Sequence, residues 1–579
     1  MRMKKSFISL LLFAAVSISG VAQGLFPAQW KFQTGDSLQY ADPLFNDFEW
    51  KTISPYQVWE RQGYATYDGF AWYRVTFVVP SSLKKDAFKY GGLLLNLGRI
   101  DDVDFTYFNG ILVGSTGKLP PDYVTEWSTR RAYTIAPDAV LWGKPNTLAV
   151  RVYDASGDGG IYSEPVSLTI KGNPNFITLS QALTQPDRII TGSPDAEIPI
   201  SLQNGLPKTY IGQMNLKAVS DFGEEIASLS EEISIKKYLT GIYTYRLTNL
   251  DPGFYKVTVA LKGKQASKET AFNFGFEPEK IVSPADPQPD FADFWARAKN
   301  ELAGVDPQFK MIKIDSLCTP AHNIYLVEMR SLDSALIRGW YQVPVKPGRY
   351  PAVMQVPGYN STIIPSYINY GKDIIGFGLN IRGHGNSKDD VNPGFPGYIL
   401  TNIEDKEKYI YRGAYMDCIR GIDFLFSRPE VDTAHVAVEG ASQGGALTFV
   451  TAALDNERIA VCAPQVPFLS DFEHYFKVAT WPGNEFINFV EKEKRMTWEE
   501  VYRTLSYFDI KNLAPMIKAP LIMGVGLVDD VCPPHINFAA YNNVTAEKKY
   551  IVYPEAGHGL PGDFYRVKME WIKSKLGMQ

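Results

Sequence analysis

Over residues 24–170 apolar and polar positions alternate in short runs rich in Tyr, Phe, Val and Leu, punctuated by Gly, Pro, Asn and Asp. Alternation of period two is the mark of half-buried strands, and many such runs in series predict a β-sandwich. Residues 70–80 form one predicted strand and 92–98 another, while 103–108 meets 111–114 across Asn109-Gly110, a pair that accepts the positive φ demanded by a tight hairpin turn. A second stretch, 173–276, alternates in the same way over 196–202 and 253–261 and holds no His or Cys. It predicts an immunoglobulin-like sandwich of about 100 residues acting as a spacer. The proline-rich run 281–290 reads as a linker. Beyond it strand-like runs such as 352–356 and 374–379 alternate with helical stretches such as 411–426, the arrangement of a parallel sheet covered by helices.

Candidate chemistry lies in this last part. Residues 435–439 read as a short strand, Gly440-Ala441-Ser442-Gln443-Gly444 follows, and 445–454 continues as a helix. A GxSxG run between strand and helix is a nucleophile elbow, with glycines two positions either side of the serine because side chains there would strike the tight backbone. A serine hydroxyl needs a base and an acid that orients the base. Downstream, an apolar strand over 523–528 ends at Asp529, and 549–553 is another strand followed by Pro554-Glu555-Ala556-Gly557-His558. The order Ser442, Asp529, His558 suits an α/β-hydrolase. Asp530 competes with Asp529, since neighbouring strand-end side chains point opposite ways. His384, His474 and His535 read as structural or substrate-side. For the oxyanion, Gln443 supplies one N–H, and the loop Pro357-Gly358-Tyr359-Asn360 after the strand 352–356 supplies the second through Tyr359.

Length and charge narrow the picture further. A chain of 579 residues exceeds what one hydrophobic core serves, as cores stop growing near about 250–300 residues, so three domains are expected. A formal net charge of -5 leaves no general cationic field for nucleic acid. Arg2, Lys4 and Lys5, an apolar run over 7–16 and Gly20-Val21-Ala22 predict a signal peptide over 1–23, hence export to periplasm or medium. No apolar run is long enough for a membrane-spanning helix. The four cysteines, Cys318, Cys418, Cys462 and Cys532, show no metal-type spacing and are expected as isolated thiols; neither metal nor cofactor is expected.

The runs FAWYRVTFVVP, LNLGRIDDVDFTYFNGILVGSTG and NTLAVRVYD resemble the jelly-roll, galactose-binding-like domain at the front of family 2 glycoside hydrolases. An architectural role is expected of it here, with sugar binding as the alternative. The last 300 or so residues resemble carbohydrate esterase family 7, the acetyl xylan esterases and cephalosporin C deacetylases. The resemblance rests on Phe291-Ala292-Asp293-Phe294-Trp295, Gly358-Tyr359-Asn360, Arg382-Gly383, the run 411–417 (YRGAYMD), 440–445 (GASQGG) and 526–534 (GLVDDVCPP). It implies Ser442 as nucleophile, His558 as base, Asp529 as orienting acid, Tyr359 and Gln443 as oxyanion donors, and an acetylated oligo- or polysaccharide as substrate. Two positions depart from the family pattern: His384 stands where the family has Gln, and Gly559 follows His558 where the family has Glu. The family forms hexamers, which two added N-terminal domains could obstruct.

The resulting expectation is a multidomain chain: signal peptide 1–23, jelly-roll 24–171, immunoglobulin-like sandwich 172–280 and α/β-hydrolase acetyl esterase domain 281–579. The rival readings are a peptidase or other acyl hydrolase on the same fold, against which no propeller repeats are found, and an inactive glycan-binding protein, against which stands the complete Ser442, Asp529 and His558 set.

Overall fold

The computed structural model describes residues 25–578 except 66, 164–165, 172–176, 205–208, 237–238, 264–266 and 480. The predicted signal peptide lies outside the described residues. The chain divides into two compact units, Met1–Asn173 and Pro174–Gln579.

In the first unit an antiparallel six-stranded sheet runs in the spatial order Lys51–Ile53, Trp30–Thr34, Gly69–Val78, Pro145–Asp154, Val103–Phe108, Ile111–Thr116. A four-stranded sheet made of Val166–Ile170, Leu93–Asp101, Arg130–Ile135 and the short Gly160–Ile161 covers it. Their inner faces share one core that includes Trp30, Trp59, Tyr73, Leu95, Phe108 and Leu148. The hairpin forms at Asn109-Gly110, with φ of 49° and 80°.

The second unit begins with a three-stranded sheet (Ile177–Gln181, Ala196–Asn204, Thr240–Leu247) facing a five-stranded one (Ile189–Ile190, Ser267–Phe276, Gly253–Gly263, Tyr210–Ser220, Glu225–Ile235). A nine-stranded mixed sheet follows: β1 (Lys310–Lys313), β2 (His322–Arg330), β3 (Leu336–Pro344), β4 (Tyr350–Gln355), β5 (Ile375–Asn380), β6 (Val431–Ala441), β7 (Val461–Gln465), β8 (Leu521–Gly526) and β9 (Lys548–Tyr553), in the order β1-β2-β3-β5-β4-β6-β7-β8-β9. The sheet is parallel from β5 onward, as expected, but β1, β2, β3 and β5 pair antiparallel. The accompanying helices include α1 (Phe291–Ala303), α2 (Ile410–Phe426), α3 (Gln443–Leu454), α4 (Pro534–Asn543) and α5 (Gly562–Lys575).

Alternate residues of the central strands feed two cores. Ala352 and Met354 of β4, Val436 and Val438 of β6 and Met523 and Val525 of β8 point to the side packed by α2 and α3. Val353, Ala437 and Ile522 point to the side packed by α5. Burial on both faces is why these strands read as continuous apolar runs. The larger core also takes in Ile189 and Phe254 from the preceding sandwich, whose Phe254 ring lies 5.6 Å from that of Phe538 in α4. The expected spacer is therefore packed into the same core as the mixed sheet.

Candidate active site

Ser442 sits between the end of β6 and the start of α3, at φ 61°, ψ -123°. This left-handed backbone is costly for a residue with a side chain and persists only when its surroundings hold it. Here the Ser442 N–H donates to Gln465 O (3.0 Å), and its carbonyl accepts from Ala446 N–H (3.1 Å) and Phe468 N–H (3.0 Å). The flanking glycines are required by close backbone: a Cβ at Gly440 would lie 2.6 Å from Gly444 O, and one at Gly444 would lie 2.4 Å from Val356 O. The helix starts at Gln443 rather than 445 and β6 extends beyond 435–439 at both ends.

β8 ends at Gly526 and the chain turns through Asp529, which is buried, while Asp530 is exposed. Asp529 Oδ1 accepts from the Val531 and Cys532 N–H groups, both at 2.9 Å. His558, beyond β9, donates from Nδ1 to Asp529 Oδ2 at 2.9 Å, with Oδ1 at 3.2 Å. The contact with Asp529 orients the imidazole and leaves Nε2 free. The Ser442 hydroxyl hydrogen-bonds with the Cys532 thiol, a fully buried group raised well above its usual range by burial and by the Asp529 carboxylate. Among the described residues no hydrogen bond joins Ser442 to His558; such bonds often tighten only when substrate is bound.

The loop after β4 lies against the nucleophile turn, since a Cβ at Gly358 would be 3.6 Å from Ala441 O. The backbone N–H groups of Tyr359 and Gln443 donate to no described acceptor. Their side chains face elsewhere. The buried Gln443 amide accepts from Tyr411 Oη (2.7 Å) and donates to Pro357 O (3.3 Å) and His384 Nε2 (3.0 Å). Tyr359 Oη meets Glu485 at 3.3 Å and accepts from Ile399 N–H at 3.4 Å, and Glu485 Oε2 accepts from Gly397 N–H at 2.7 Å. Burial raises the Glu485 carboxyl above its ordinary value. The rings of Phe395 and Trp481 flank Tyr359 at 4.8 and 5.7 Å. Glu485, Trp481 and the Cys532 contact are not legible in the sequence: Glu485 has no local pattern around it, and Cys532 reads there as an isolated thiol and a motif residue.

His384, His474 and His535 are bonded to groups other than Ser442. Burial pushes His384 down to about 4, so it is neutral; its Nδ1 lies 3.3 Å from Arg382 O and its Nε2 receives the Gln443 amide. His474 donates to Asp471 and His535 to Asp221, each at 2.8 Å. These two histidines and Asp471 bring three ligand-type atoms within 4.8 Å, but both imidazoles already have carboxylate partners and Asp471 also receives Lys511 (3.3 Å). The four cysteines are free thiols. Arg382 and Asp417, both from runs quoted above, form a buried bidentate pair at 2.8 and 2.9 Å, and Gly413 is needed there because a Cβ would fall 1.9 Å from the guanidinium. A cavity of about 410 Å³ opens between the second sandwich and the acid loop, lined by Asp221, Tyr255, Asn273, Asp529 and Asp530 among others. Asn273 donates to Leu527 O across this boundary at 2.7 Å.

A family model described as acetyl xylan esterase (AXE1) matches residues 277–575. The chain is 30% identical to acetyl esterase Axe7A of Xylanibacter ruminicola over 340 residues, 56% of this chain and 75% of that protein. Its N-terminal region is similar to beta-galactosidase BoGH2A of Bacteroides ovatus, at 29% identity over 144 residues, 22% of this chain and 15% of that protein. Among solved structures, an acetyl xylan esterase from Paenibacillus sp. R4 is 31% identical, with 51% of this chain and 98% of that chain covered and a TM-score of 0.49. The matched segment 277–575 spans just over half of the chain and contains Ser442, Asp529 and His558; the chain belongs to the acetyl xylan esterase (AXE1) family and is a carbohydrate esterase, a carboxylic ester hydrolase.

Proposed function

We propose that the protein removes acetyl groups from acetylated carbohydrates by acyl transfer through Ser442. The observation that carries this reading is the His558 Nδ1–Asp529 contact, held at the ends of neighbouring strands in the unit that presents Ser442 on its left-handed turn. In the reaction the Ser442 hydroxyl leaves the Cys532 thiol, His558 Nε2 takes its proton, and the serine oxygen attacks the acetyl carbonyl. Asp529 keeps the His558 Nδ1 proton in place and offsets the charge of the imidazolium that forms. The oxyanion is received by the unused Tyr359 and Gln443 N–H groups, and Glu485 steadies the Tyr359 loop. As the bond from the acetyl carbon to the sugar oxygen breaks, His558 gives its proton to that oxygen and the sugar leaves as the alcohol; water, deprotonated by His558, then attacks the acetyl-enzyme, releasing acetate and restoring the Ser442 hydroxyl.

The reading extends to the rest of the chain: cleavage of residues 1–23 with export to periplasm or medium, a jelly-roll over 24–171, an immunoglobulin-like sandwich over 172–280, and an α/β-hydrolase domain over 281–579. The test is acetate release from acetylated xylan and hydrolysis of p-nitrophenyl acetate and butyrate by the purified protein and by Ser442→Ala. Acetyl hydrolysis should fall by about 10⁶ in the variant and be much weaker for butyrate in the wild type. A folded wild type that cleaves no ester would refute the proposal.

A further inference from the structure

We propose that the first unit holds a calcium ion between Asp101, Asp102 and Asp154, three carboxylates brought together at the ends of its strands. Asp101 closes the strand Leu93–Asp101, Asp102 follows it, and Asp154 closes Pro145–Asp154. One oxygen from each lies within 4.8 Å of the others. Asp154 is far from the Asp101-Asp102 pair in sequence, so spacing along the chain does not reveal the group.

Asp102 is well supplied, receiving the Tyr123 and Thr125 hydroxyls and the Ala155 N–H (2.9 Å). Asp154 is not. It is fully buried, its Oδ1 accepts from the Ser156 N–H at 3.1 Å, and its Oδ2 has no hydrogen-bond partner. Burying a carboxylate oxygen with nothing to receive it carries a large desolvation cost. Glu60 Oε1 is also buried without a partner, and the charges of Glu60, Asp68 and Asp158 act on the same group. The described ion pairs Arg74–Asp47, Arg131–Asp104 and Arg151–Asp36 do not include these carboxylates, and Arg131 reaches the Asp102 carbonyl, at 2.9 Å, while pairing with Asp104.

A divalent ion would offset that desolvation cost by giving Asp154 Oδ2 a ligand contact and by balancing the clustered carboxylates. The donors are all hard oxygens, which suit Ca²⁺ or Mg²⁺. Three oxygens within 4.8 Å of one another are within reach of one Ca²⁺ at its usual distances of about 2.3–2.6 Å, and Ca²⁺ accepts an irregular carboxylate set where Mg²⁺ demands a near-ideal octahedron. The ion would tie the ends of two strands to each other, independently of the esterase chemistry.

The test uses the full chain, stripped with EDTA and titrated with CaCl₂, MgCl₂ or TbCl₃. The expected results are one Ca²⁺ site by calorimetry, a higher unfolding temperature in Ca²⁺ than in EDTA, and Tb³⁺ emission sensitised by Tyr123, whose hydroxyl sits on Asp102, and quenched by added Ca²⁺. Asp154→Asn should weaken Ca²⁺ binding by about tenfold or more. If that variant does not fold, Asp101→Asn, at the partly exposed side of the group, gives the same readout. Absence of binding and of any thermal shift in the stripped wild type, binding that survives these substitutions, or equal stabilisation by Mg²⁺ would each overturn the proposal.

Discussion

Asp529 and Asp530 are chemically identical neighbours, and the turn after β8 separates their roles. Asp529 is buried, receives two backbone N–H groups and holds His558, while Asp530 is exposed to water. Asp529→Asn should lower kcat for acetyl ester hydrolysis by about 10⁴, because the amide no longer fixes the imidazole tautomer. Asp530→Asn should leave kcat within a small factor of wild type. Steady-state kinetics of both variants on p-nitrophenyl acetate checks this, and equal losses would disprove the assignment. In the sequence, alternation of strand-end side chains says that one of the two aspartates can face the imidazole, a weak argument where the strand has already ended, and the family resemblance implies Asp529. His384 illustrates the opposite limit: its replacement of the family glutamine was legible, but its contact with the Gln443 side chain required the fold.

Among the elements, the β6–Ser442–α3 turn was the most legible, because strand, glycines and helix are encoded within about twenty contiguous residues and the contacts that enforce the turn are mostly local. The structure adds which backbone the glycines avoid. Gly444→Ala would place a Cβ 2.4 Å from Val356 O, on the loop that leads to Tyr359. The expected result is a loss of about 1–3 kcal/mol in stability, together with a fall in kcat as the turn and the oxyanion loop are forced apart. Thermal unfolding and esterase assays on the same preparation test both; a stable, fully active variant would contradict the packing argument. The runs containing Arg382 and Asp417 were read as family markers, and their job is visible only in three dimensions: they form one buried ion pair, with Gly413 leaving room for the guanidinium.

For the molecule as a whole, the second sandwich is bound to the mixed sheet by shared core residues Ile189 and Phe254 and by the Asn273–Leu527 and His535–Asp221 hydrogen bonds. A chain starting at Pro174 should therefore fold and hydrolyse p-nitrophenyl acetate. A chain starting at Ile281 would leave Phe538 without Phe254 and should be less stable by at least about 3 kcal/mol. Denaturant unfolding of the two chains decides the point, and equal stability would restore the spacer reading. The sequence by itself determined the succession of β-rich and mixed α/β segments, the nucleophile turn, and the family, because periodicity and contiguous motifs express local backbone preferences and the burial of each element's faces. Only the tertiary structure decided that the middle sandwich buttresses the acid loop, that Cys532 and Glu485 join the site, and that Asp101, Asp102 and Asp154 converge. Each of those facts depends on which surfaces meet between residues far apart in the chain, and no local pattern of apolar and polar positions carries that information.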